Sequence, residues 1–156
     1  MELVLLLTGK TVDKPLLDLM ATFEGRLQHY VRFKRIELAD QKIKKPSAEQ
    51  LLRAEAEGQL KEVQSSDFLV LLDEKGQSFN SRAFAVQLQK WMNAGHKRMV
   101  FLVGGAYGFH ESVYQRAQAQ LRLSDMTFNH QVVRLLFAEQ LYRAFTILSN
   151  HPYHND

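Results

Sequence analysis

The chain reads as an α/β domain with a mainly parallel sheet flanked by helices. Three observations predict this. Short apolar runs recur along the whole length, at Leu3–Leu7, Phe68–Leu72 and Met99–Val103. They are continuous rather than alternating, the pattern of strands covered on both faces. Stretches of helical period separate them, so strand and helix alternate from start to end, as in parallel sheets.

Leu3–Leu7 is the first strand, closed by Gly9. From Asp13 to Tyr30, apolar residues at Leu16, Leu17, Met20, Phe23 and Leu27 keep a helical period. Val31, Phe33, Ile36 and Leu38 form a looser second strand. Residues 40–46 are polar, carry Lys42, Lys44 and Lys45, and read as a loop. Pro46-Ser47 opens a helix to about Val63, with Ser47 as N-cap. Phe68–Leu72 is the third strand, ending in Asp73 and turning at Gly76. Ser81–Asn93 is helical, with Phe84, Leu88, Trp91 and Met92 on one side and Gly95 in C-capping position. Met99–Val103 is the fourth strand and breaks into Gly104-Gly105-Ala106-Tyr107-Gly108. A helix over 111–120, a short strand at Leu121–Leu123, a loop over 124–130 and a helix from Gln131 to Leu148 complete the order.

The composition bounds the function. A chain of 156 residues, 46% apolar and 24% charged, is expected to form one globular domain over residues 1–156. It has no cysteine, which excludes disulfides and thiolate metal sites. The first apolar run is too short for a signal peptide or membrane span, so a cytoplasmic protein without membrane attachment is expected. A net charge of +3 permits a nucleic-acid partner without requiring one.

In such sheets ligands sit beyond the carboxyl ends of the strands, here the loops after Leu72, Val103 and Leu123. Gly9-Lys10-Thr11 ends like a phosphate-binding loop, but Val4 stands where its first glycine belongs, so a simple turn is the better reading. Gly104-Gly105-x-x-Gly108 lacks the dinucleotide-binding order, yet adjacent glycines let backbone approach a ligand. His151-x-x-His154 supplies two possible metal ligands and no third, so no metal is expected. No nucleophile–histidine–acid set or zinc-hydrolase motif stands out.

Taken together, four blocks resemble the RlmH-type ribosomal RNA methyltransferases of bacteria over essentially the whole chain. They are Leu71-Leu72-Asp73-x-x-Gly76, Phe101-Leu102-Val103-Gly104-Gly105-x-x-Gly108, Leu123-Ser124-x-Met126-Thr127-Phe128-x-His130, and Arg134 with Glu139–Ala144 and Pro152-Tyr153-His154. The resemblance implies a SPOUT-type α/β fold with a C-terminal trefoil knot, a homodimer, S-adenosylmethionine as cofactor, and methylation of N3 of a pseudouridine in large-subunit ribosomal RNA. It places the cofactor at Leu72, Gly104, Gly105 and the run Leu123, Ser124, Asp125, Met126, Thr127 and Phe128.

For chemistry it points to His154 as base or RNA-positioning group, Tyr153 as orienting partner and Arg143 as the cation facing RNA. His130, Arg134 and the Lys42/Lys44/Lys45 loop are further expected RNA contacts. One position departs from the family: Asn155, followed by Asp156, stands where a basic residue is common. Two other functions stay open at this level. One is a methyltransferase of the same fold acting on another RNA such as tRNA; the other is a ribosome-binding protein without activity.

Overall fold

The computed structural model describes residues 1–155; Asp156 lies outside them. Five strands, β1 (Glu2–Leu7), β2 (Arg32–Glu37), β3 (Phe68–Ser78), β4 (Arg98–Val103) and β5 (Ala119–Arg122), form one sheet in the order β2-β1-β4-β3-β5. Every pairing is parallel. The helices are α1 (Lys14–Leu27), α2 (Ala48–Glu62), α3 (Ser81–Met92), α4 (Glu111–Arg116) and α5 (Val132–Leu148).

The continuous apolar runs are explained by burial on both faces. Leu3, Leu5 and Leu7 with Met99, Phe101 and Val103 face one core, shared with Met20, Leu27, Phe84, Leu88, Phe137 and Leu141 of α1, α3 and α5. Val4, Leu6, Leu69, Leu71, Val100 and Leu102 face the other, closed by Ala56, Val63 and Val113. A fully covered strand has no polar face to alternate with.

Helix starts follow the expected chemistry. Ser47 accepts from the Gln50 amide while the Gln50 side chain accepts from Ser47 N, a complete capping box. Asp13 and Asn80 cap α1 and α3 without the reciprocal half, each side chain accepting from the backbone N–H three residues on, Leu16 and Ala83.

Boundaries around β3 and β5 differ from the sequence reading. The fourth helix stops at Arg116 rather than Gln120, and β5 starts at Ala119. Gln118 explains both: its amide donates to Leu69 O at 2.9 Å and its side-chain oxygen accepts from Leu69 N at 2.7 Å. Capturing the edge of β3 pulls the chain out of helix. The third strand runs on past its expected end at Leu72 to Ser78. Leu121 pairs with Leu72 and a second time with Gln77, so Asp73–Gly76 leaves β3 and returns to β5. A Cβ at Gly76 would lie 2.6 Å from both Gln120 C and Leu121 N, so the backbone there crosses directly over β5.

Candidate functional site

Neighbouring strands β3 and β4 send their connections to opposite faces of the sheet, β3 to α3 and β4 to α4. That reversal opens a crevice at their carboxyl ends. A cavity of about 780 Å³ lies there. Its walls come from three separate stretches: Leu72–Lys75 after β3, Val103–Phe109 after β4, and Leu121–His130 from β5 onward. Leu72, Gly104, Gly105 and all of Leu123–Phe128 line this one cavity.

Each wall is held by its own contacts. Gly108 has φ +81°, and a Cβ at Gly104 would meet Gly108 O at 2.8 Å and the Phe109 ring at 3.1 Å. The glycines therefore allow a turn tight enough to leave backbone at the cavity wall. A Cβ at Gly105 would point away, into the Glu55 carboxylate at 2.6 Å. Burial is the main reason the Glu55 carboxyl is raised above the ordinary carboxylate range, with Asp40 adding to it. Tyr114 of α4 donates to Asp73 Oδ2 at 2.6 Å, tying the β3 crossing segment to the far face. Burial, then the Asp73 carboxylate, pushes that phenol above its ordinary value, so it stays a neutral donor.

The loop after β5 is stiffened by Arg122–Asp125 at 3.0 Å and by Met126 N donating to Ser124 Oγ. Met126 is 77% and Phe128 37% exposed. Apolar side chains left uncovered at a cavity mouth, with strand-end backbone behind them, suit a ligand with an aromatic ring and polar edges. The chemistry and size of this cavity fit S-adenosylmethionine.

The expected RNA contacts separate here. His130 is exposed on the cavity wall. Arg134 is not available: it is 0% exposed. Its guanidinium donates to Thr8 O at 2.8 Å, Gly9 O at 3.1 Å and Thr11 Oγ1 at 2.8 Å, and its Nε to His130 O at 3.1 Å. It fixes the end of the cavity loop to the end of β1, and an RNA contact for it is withdrawn. A cation at this position of a helix reads from sequence as a surface group. What that reading misses is the set of carbonyls at the end of β1 that satisfies the charge.

The tail packs against its own last helix. Within one chain, Arg143, Tyr153 and His154 do not line the cavity. After α5 the chain doubles back along it: His151 Nδ1 meets Tyr30 OH at 2.6 Å, and Tyr153 OH donates to Glu139 Oε1 at 3.0 Å. Arg143 donates to the same Glu139 oxygen at 2.6 Å, lies 4.8 Å over the Tyr153 ring, and approaches His154 Nδ1 at 3.2 Å. Burial and the Glu139 carboxylate raise the Tyr153 phenol, keeping it a donor. The two tail histidines thus face different partners. Glu139 is the organiser of this group and was not among the expected site residues; its i,i+4 spacing to Arg143 was the available signal.

A family model described as "Predicted SPOUT methyltransferase" matches residues 1–154. Proteins named ribosomal RNA large subunit methyltransferase H are similar over nearly their whole lengths. That of Christiangramia forsetii is 50% identical over 99% of both chains, and that of Flavobacterium johnsoniae 46% over 99% of both. That of Porphyromonas gingivalis W83 is 43% identical over 100% of both. A probable methylase family protein from Haemophilus influenzae has a similar fold at TM-score 0.51 and 11% identity, over 99% of this chain and 70% of that one.

Proposed function

The chain belongs to the SPOUT methyltransferase family, and on that premise we propose that it methylates N3 of a pseudouridine in large-subunit ribosomal RNA, using S-adenosylmethionine and acting as a homodimer. The observation that carries this reading is the convergence of three distant strand-end loops on one cavity of the right size and polarity. The names of its full-length relatives supply the RNA class.

When bound, S-adenosylmethionine supplies a methyl group on a sulfonium, open to in-line attack. Leu72, Leu123, Met126 and Phe128 provide the apolar walls, and the backbone at Gly104 and along Leu123–Phe128 provides the polar edge. Positioning is the main contribution a protein makes to such a displacement.

The attacking ring nitrogen must lose its proton, and charge then develops on the base carbonyls. Arg143, Tyr153 and His154 lie outside the cavity of their own chain, so in this reading they serve the cavity of the second copy. Arg143 has donors only. Its contact with His154 therefore takes the Nδ1 lone pair and leaves the ring proton on Nε2. His154 accordingly enters as a hydrogen-bond donor that positions the base, with Arg143 offsetting the developing negative charge. The proton on the attacking nitrogen of the RNA base leaves to water, and His154 keeps its own.

The test uses ribosomes from a strain lacking the methyltransferase and mass spectrometry of their RNA. Wild-type protein places one methyl group on the pseudouridine, and His154→Ala slows transfer about 100-fold with cofactor affinity kept. Wild-type turnover by His154→Ala would remove His154 from the positioning role, and transfer to tRNA alone would overturn the substrate.

A further inference from the structure

Beyond the cavity, the Lys42/Lys44/Lys45 loop expected to meet RNA joins a lysine of the β1 turn to form one basic surface. The connection from β2 to α2 carries Lys42, Lys44 and Lys45 within four residues, and the adjacent β1 turn carries Lys10. All four are exposed. Among the described residues, none of their ammonium groups enters an ion pair or hydrogen bond, unlike Lys14 or Arg53, which pair with acids on their own helices.

The loop is anchored at its start and open beyond. Asp40 packs under the β1 turn, where its Oδ1 would stand 2.5 Å from a Cβ at Gly9. Gly9 has φ +78° and its carbonyl is bound by Arg134. Arg134 also binds the carbonyl of His130, on the cavity wall. The lysines are therefore carried on the same rigid frame as the cavity. They rise from the same end of the sheet. β2 lies two strand spacings, about 10 Å, from β4, which is within reach of the nucleotides flanking a base held at the cavity.

We infer that the Lys10 turn and the Lys42–Lys45 loop form a docking tract for the phosphate backbone of the RNA beside the target nucleotide. The inference rests on the RNA methyltransferase reading above and extends it to how the substrate is held. Unpaired, mobile-headed ammonium groups suit phosphate oxygens as point charges and read no sequence. The tract therefore orients RNA, and selection of the base remains with the cavity and tail.

The experiment compares wild type with Lys42→Gln/Lys44→Gln/Lys45→Gln in binding to ribosomes across a salt series, with cofactor affinity by calorimetry as the control for folding. Each phosphate contact contributes about 0.7 to 0.9 to the slope of log affinity against log salt. The triple variant is expected to have a slope shallower by about 2, an affinity at least 10-fold lower at ~0.1 M salt, and unchanged cofactor binding. The corresponding Glu variant should bind more weakly still. An unchanged slope overturns the inference, as does a salt-dependent loss seen only on anionic phosphatidylglycerol vesicles. Binding is read separately from turnover. Wild type that binds ribosomes with the expected slope yet transfers no methyl group would count against the function and leave the tract standing.

Discussion

At the scale of single residues, the chemistry divides between groups whose type reveals their task and groups whose surroundings decide it. Strand order alone marks the loops after Leu72, Val103 and Leu123 as ligand loops, whereas the individual residues of the Leu123–Phe128 run are named only by the family resemblance. The task of Arg134 was legible from neither. A cation on a helix looks like surface until the carbonyls of Thr8 and Gly9, more than a hundred residues earlier, are placed against it. Arg134→Met would strip donors from four oxygens, three of them at the end of β1. We expect a loss of about 3–5 kcal/mol, read as a fall in Tm of about 10 °C. Arg134→Lys should recover part of it. Urea denaturation of both variants within 0.5 kcal/mol of wild type would show that the buried charge is not what joins the cavity loop to β1.

At the scale of elements, strand and helix order was readable because burial on both faces writes continuous apolar runs. The end of α4 and the length of β3 were not, because non-local pairing sets both: Gln118 with Leu69, and Gln77 with Leu121. No local propensity records a partner that far along the chain. The crossing of β3 over β5 hangs on Gly76. Gly76→Ala puts a methyl group against the β5 backbone, which cannot yield as a side chain could. The expected cost exceeds about 3 kcal/mol. Gly25→Ala, in the last turn of α1 with nothing within 4 Å, is the contrast and should stabilise by about 0.5 kcal/mol. Thermal melts of the pair decide the matter: equal shifts would mean that the crossing is loose.

At the scale of the molecule, the cavity and the Arg143–Tyr153–His154 group occupy different regions of one chain. That separation could not be read from their nearness in a motif, since spacing says nothing of which copy a residue serves. If each cavity is completed by the other copy's tail, two inactive variants should rescue one another. Gly104→Val disables the cavity, and His154→Ala disables the tail. Mixed and reassociated at random, half of the dimers would be hybrid, each with one intact site, giving about a quarter of wild-type activity. Recovery no greater than the sum of the two separate variants would place the tail with its own cavity.

The crossing over β5 has a consequence for how copies of the chain meet one another. A sheet edge is a row of unpaired amides that invites strands of other chains. Here the chain crosses β5 at Gly76 and then pairs Gln77 and Ser78 with Leu121 and Arg122, so the same chain already engages β5 backbone that another strand would need. The opposite edge, β2, carries the exposed cations Arg32 and Lys34, while Arg35 is paired with Glu24 and Glu37. One edge is thus engaged by its own chain and the other carries exposed charge, two devices that disfavour edge-to-edge growth between copies.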